Sequence, residues 1–123
     1  MPPVLRCKTL SVSIERTPRH VYAFVSNPEN LPKWATAFCR SVRKSEGEWI
    51  VETPDGPMRI RFVGHNEFGV LDHYVNPAPG LQSLNPMRVV ANGSGSEVSS
   101  PCSSRPICRR RHLPKMQDWS NAI

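Results

Sequence analysis

In TPRHVYAFVSNPENLPKW, residues 17–34, helix signals, a stop and a second short helix follow one another. Thr17 can cap a helix whose first residue is Pro18, a residue without an N–H in the one turn where that N–H has no intrahelical partner. Val21, Phe24 and Val25 follow at i, i+3 and i+4 and make one apolar stripe. Asn27-Pro28 ends the helix, because a residue before proline is pushed out of the α region. A second short helix restarts at Pro28 or Glu29 and runs through Leu31 to Trp34. The spacing predicts helices over 18–26 and 28–34, a bent pair too short to cover a sheet alone.

On the N-terminal side, Leu10, Val12 and Ile14 alternate with Ser11, Ser13 and Glu15, the period of two that marks a half-buried strand. On the C-terminal side, Phe38 to Arg43 reads as a weak strand and Glu48 to Thr53 as a stronger one. Pro54-Asp55-Gly56-Pro57 supplies turn residues, and Met58, Ile60 and Phe62 then alternate with Arg59 and Arg61 to complete a hairpin. His65-Asn66-Glu67 reads as the next turn, Gly69 to Val75 as a strand, and Asn76 to Gly80 as a proline-rich loop. Pro86 to Ala91 is a strand with its proline at the start, where a missing ladder donor is tolerated. Asn92-Gly93-Ser94-Gly95 is a hairpin turn, and Ser96 to about Ser100 begins another strand. A strand, two short helices and a meander of antiparallel strands give an α+β fold class with the helices segregated from the sheet.

The totals fit this reading. A chain of 123 residues is one domain with a single core. No run approaches the ~20 apolar residues of a membrane span, and MPPVLRCK lacks the apolar centre of a signal peptide, so a cytoplasmic protein is the expectation. Cys7, Cys39, Cys102 and Cys108 form no CxxC pair and match no His pair, which leaves zinc and a disulfide framework without support. The net charge of +6 is uneven. Residues 1–98 hold eleven Lys+Arg against nine Asp+Glu, whereas residues 99–123 hold five against one. A body so near neutrality leaves no electrostatic footprint for a phosphate backbone, and Arg109-Arg110-Arg111 alone reads as a solvated triplet. No nucleic acid partner is expected.

The opening strand with its capped helix ending in VSNPENLPKWA, the strand FGVLDHYV and the segment PMRVVANGSGSEV resemble the START-like or SRPBCC superfamily, in its polyketide cyclase and lipid-transport-like branch. The resemblance covers residues 8–98. It implies the helix-grip fold, a curved antiparallel sheet of six or seven strands gripping a long C-terminal helix, with an apolar cavity between them. It also implies a hydrophobic small-molecule partner (lipid, polyketide or other aromatic), no cofactor, and a monomer or weak homodimer. Some members cyclise or hydrolyse what they bind, but a fold alone does not assign a function.

A pocket of that kind would be lined by Trp34, Phe38, Trp49 or Ile50, Met58, Ile60, Phe62, Leu71, His73, Met87 and Val89. Strand side chains alternate, so only one of each neighbouring pair can face it. Asp72, His73 and Arg88 are the polar groups inside otherwise apolar strands. His73 on a concave face is the candidate catalytic residue, as a general base or as a group that orients a carbonyl. Asp72 is expected on the opposite face, paired with Arg88 or a neighbouring Arg, and so cannot orient His73. No GxSxG, HExxH or P-loop occurs, and no metal site is expected. Three readings follow: a binding or carrier protein, which needs only the cavity; a cyclase or dehydratase, which needs His73; and a protein-interaction module, which needs an exposed apolar patch.

The resemblance stops in mid-strand at Val98. The sequence SSPCSSRPICRRRHLPKMQDWSNAI has no helical periodicity, and Pro106 and Pro114 would break a helix. It reads as a basic, disordered tail over 99–123 in place of the family's gripping helix. One origin is a shifted frame. Taking the third base of each codon with the first two of the next permits an apolar strand end, a Ser N-cap and the start of an acidic amphipathic helix; Met116-Gln117 then can give only Ala. The expectation is an incomplete domain over 1–98, truncated relative to the family.

Overall fold

The computed structural model describes residue 4, residues 6–35 and residues 38–103, with side chains described as far as residue 100. The tail after Ser103, with its expected disorder and altered frame, lies outside the described residues. In chain order the elements are β1 (Cys7–Ile14), α1 (Pro18–Val25), a 3-10 turn (Pro28–Asn30), α2 (Leu31–Trp34), β2 (Ser41–Ser45), β3 (Glu48–Thr53), β4 (Gly56–Phe62), β5 (His73–Ala78), β6 (Leu81–Asn85), β7 (Arg88–Asn92) and β8 (Gly95–Ser103). Among the described residues no helix is long and apolar enough to cross a membrane.

The helix pair forms as its sequence dictates. Thr17 Oγ1 accepts the His20 N–H at 3.3 Å, and the Asn27 side chain accepts the Glu29 N–H at 3.1 Å. Asn30 Nδ2 donates to Phe24 O at 3.0 Å and fixes the bend between the two pieces. The stripe side chains Val21 and Val25, with Leu31 and Trp34, are buried. α1 packs on β7 and β8, and α2 packs against β2.

Every strand pair among the described residues is antiparallel. The pairs fall into a five-stranded sheet, β2-β3-β4-β5-β6, and a three-stranded sheet, β1-β8-β7. The two sheets are continuous. His73 faces Asn85 and Val75 faces Ser83; Leu71 N–H then donates to Met87 O at 2.8 Å, Val89 N–H donates to Gly69 O at 2.9 Å, and Val70 bridges Arg88 in the same register. The regular ladder lapses at Pro86, which has no N–H to give. Asp72 repairs the gap: its carboxylate accepts the Met87 N–H at 2.9 Å and pairs with Arg88, while Ser100 Oγ donates to Pro86 O at 2.8 Å. The arrangement is α+β and consistent with a helix-grip-like fold.

Several boundaries differ from the sequence expectation. The weak strand expected over 38–43 forms at Ser41–Ser45. The expected 69–75 strand begins at His73 and continues through the proline-rich segment to Ala78, leaving Pro79-Gly80 as the turn. Pro77 is tolerated because the β5–β6 register is irregular between Val75 and Ala78, where no ladder donor is required of it. β6 (Leu81–Asn85) has no counterpart in the expectation, and the 86–91 strand starts at Arg88, past the proline. β8 runs on to Ser103, paired with β1 as far as Cys7.

Candidate functional site

The register fixes which side chains share a face. Val42 stands opposite Val51 and Val51 opposite Met58; Trp49 stands opposite Ile60 and Ile60 opposite Val75. Phe62 stands opposite His73 and His73 opposite Asn85, while Val89, Val98 and Val12 form a further row. These rows make the inner face, and Leu71 and Met87 lie on it where the two sheets join. The alternation resolves the Trp49 or Ile50 choice in favour of Trp49, since Ile50 pairs with Arg43 and Arg59 on the outer face. Of the remaining expected lining residues, Met58, Ile60, Leu71, His73, Met87 and Val89 are buried on the inner face and Phe62 is half-buried there. Trp34 reaches the core from α2, and Phe38 packs against the same core.

A groove opens at the edge of this face. The pairing of β3 with β4 starts only at Trp49 opposite Ile60, just after the Glu46-Gly47 turn, so the last residues of β4, Arg61 and Phe62, pair only with β5. The space left is a groove of about 460 Å³ lined by Trp49, Ile60 and Phe62, with Pro28, Glu48, Arg59, Arg61 and Asn76 around it. Its cations are engaged: Arg59 pairs with Glu48 at 3.1 Å, and Arg61 lies 4.7 Å from the Tyr74 ring centre. A second groove of about 390 Å³ lies along Arg43, Ile50, Arg59 and the segment 76–80. A third, of about 630 Å³, runs between α1 and the loop that carries Phe68, which is 82 % exposed.

Inside the sheet, His73 is 6 % exposed, with its ring 4.9 Å from that of Phe62. Its Nδ1 lies 3.1 Å from Leu71 O. A carbonyl can only accept, so Nδ1 carries the proton, and in the neutral ring Nε2 is the acceptor nitrogen. Asp72 is turned to Met87 and Arg88, as the alternation requires, so Asp72 forms no dyad with His73. Asn85, next to His73 on the inner face, did not stand out in the sequence: LQSLN carries no clear period of two, and nothing in it marks the Asn as buried. Cys39 is buried, with Sγ donating to Ser41 O at 3.3 Å; burial pushes its thiol up to about 11, partly offset by a Ser41 backbone hydrogen bond that favours the thiolate.

No family model matches the chain, and no curated protein does. Solved structures do. The protein XoxI from Bacillus cereus superposes with a TM-score of 0.62 at 22% identity, over 79% of this chain and 73% of that one. Ara h 8.0201 superposes with a TM-score of 0.56 at 15% identity, over 80% and 75%. DynU16, a protein of the dynemicin biosynthetic locus, gives 0.56 at 14% identity, over 81% of this chain and 37% of its own. The likeness is consistent with an SRPBCC-like fold. At these identities the likeness is one of fold.

Proposed function

We propose that this chain binds an apolar small molecule on the inner face of the sheet, which enters through the groove at the start of β3. The observation that carries the reading is the groove itself: Trp49, Ile60 and Phe62 line it from the inner face and continue into the apolar rows behind it. Its volume of about 460 Å³ falls in the range of small-molecule sites, roughly 300–1,000 Å³. The aromatic pair offers flat apolar area, and the rim of Arg, Glu and Asn keeps the mouth wetted. Lipid, polyketide and other aromatic molecules are the ligand classes that suit it, and carriage needs nothing beyond such binding.

Equilibrium titration with 1-anilinonaphthalene-8-sulfonate, followed by competition with fatty acids and aromatic polyketides, tests the reading. Saturable binding at one site with energy transfer from Trp49 is the expected result. Non-saturating fluorescence that no competitor reduces would overturn it. The geometry of His73, whose Nδ1–H is held by Leu71 O, favours a second reading as a cyclase or dehydratase. His73→Ala separates the two: turnover lost with binding retained favours the enzyme, whereas binding unchanged and turnover absent in both proteins favours the carrier.

A further inference from the structure

Five polar residues are buried among the described residues: Thr53, His73, Asn85, Ser96 and Ser100. Four of them have hydrogen bonds that account for their burial. Thr53 Oγ1 donates to Gly56 O at 2.7 Å, His73 Nδ1 lies 3.1 Å from Leu71 O, Ser96 Oγ donates to Arg16 O at 2.6 Å and Ser100 Oγ donates to Pro86 O at 2.8 Å. Asn85 is the exception. It is 4 % exposed, and its amide Nδ2 has no hydrogen-bond partner among the described residues. A buried donor left without an acceptor is strongly unfavourable, and native proteins rarely keep one unless something supplies the missing bond.

Its position says what that could be. Phe62, His73 and Asn85 stand directly opposite one another on three adjacent strands, and Phe62 lines the edge groove. Two strand spacings, about 10 Å, separate the groove wall from Asn85. An apolar body lying across Phe62 and the His73 ring would bring its far end to the amide. We infer that the Asn85 N–H is the group that orients the ligand, by donating to a neutral carbonyl oxygen of a ketone, ester or amide. This rests on the inner-face binding reading and narrows it.

The choice of a neutral oxygen follows from charge. Arg59 and Arg88 are committed to Glu48 and Asp72, and Arg61 lies against Tyr74. Among the described residues the one cation in the inner-face rows of the five-stranded sheet is Lys44, on β2 at the edge of the sheet, where its Nζ lies 5.6 Å from the Trp49 ring centre; it is four strands away from Asn85. A carboxylate drawn to Asn85 would be desolvated without a countercharge, which costs more than one neutral donor returns. A hydrocarbon chain would leave the donor unpaired. A carbonyl needs one donor and no charge.

The test uses the full chain and a matched pair of competitors, 2-acetylnaphthalene and 2-ethylnaphthalene, each displacing 1-anilinonaphthalene-8-sulfonate. The two share a ring and differ chiefly in the carbonyl oxygen. The preference of the wild type for the acetyl compound should fall about threefold to tenfold in Asn85→Leu, the worth of one neutral hydrogen bond. The variant, relieved of an unpaired buried donor, should melt no lower than the wild type. An unchanged preference with both compounds binding overturns the role of Asn85 alone; failure of either compound or the dye to bind saturably overturns the binding reading with it. Should Asn85→Leu not fold, the wild-type Asn85 side-chain NH₂ resonance decides. It should shift with 2-acetylnaphthalene and not with 2-ethylnaphthalene, and an equal response to both, or none, refutes the inference.

Discussion

Asp72→Ala should destabilise the fold by about 2–4 kcal/mol, because Asp72 joins the two sheets where Pro86 cannot. The carboxylate accepts the N–H of Met87, a fully buried residue, and its own side chain is only 16 % exposed. A hydrogen bond to a charged acceptor contributes about 1.5–3 kcal/mol, and a buried N–H left without an acceptor costs about 1–3 kcal/mol in its place. The ion pair adds little, because the Arg88 side chain is 45 % exposed and pairs of that kind contribute ~0–1 kcal/mol. Asp72→Asn keeps an oxygen for Met87 and should recover at least ~1 kcal/mol of the loss. Arg88→Ala should cost less than ~1 kcal/mol. Urea unfolding reads the series as midpoint shifts at constant slope, and amide exchange at Met87 locates the effect. The reasoning is refuted if Asp72→Ala lies within ~0.5 kcal/mol of wild type, or if Asp72→Asn is as damaging as Asp72→Ala.

Trp34→Ala removes an aromatic that is 4 % exposed and should cost ~3–5 kcal/mol, read from the same unfolding curves; unchanged melting would place the side chain outside the core. Gly69 has φ +71, and a Cβ there would run into the Val89 carbonyl, so Gly69→Ala should cost more than ~1 kcal/mol, with a stability equal to wild type as the contradicting result. The Cys39 thiol ionises near 9 when the chain is unfolded and only at about 11 when folded. Between those values the unfolded state holds fewer protons, so this contribution to stability is full below pH 9 and is lost as pH rises toward 11. Cys39→Ala should flatten that part of the stability profile, and an identical slope in both proteins would deny the thiol this role.

The helix pair was legible because each of its signals is local: Thr17 caps, Pro18 and Pro28 start turns, and Asn27-Pro28 stops the first helix. The β3–β4 hairpin was legible for the same reason. β6 was not, because Leu81 at its start and Leu84 on its outer face are both exposed, while Ser83 and Asn85 face inward. A strand that turns polar residues inward and exposes its leucines lacks the apolar alternation that marks strands in sequence. The same lack of pattern hid Asn85. The inner-face residues from Met58 to Val89 were legible as apolar alternates, but their common face came from register, which is a property of pairing across the sheet. The Asp72–Arg88 pair was expected from alternation; its task of bridging Pro86 follows only once β6 and β7 are seen to be one interrupted strand.

Backbone amide shift mapping during titration with 1-anilinonaphthalene-8-sulfonate tests the central claim most directly. Saturable shifts should cluster at Trp49, Ile60, Phe62, His73 and Asn85, the residues that run from the groove into the inner face. Shifts that never saturate, or that gather instead at Arg43, Ile50, Ala78 and Gly80 along the outer groove, would contradict it.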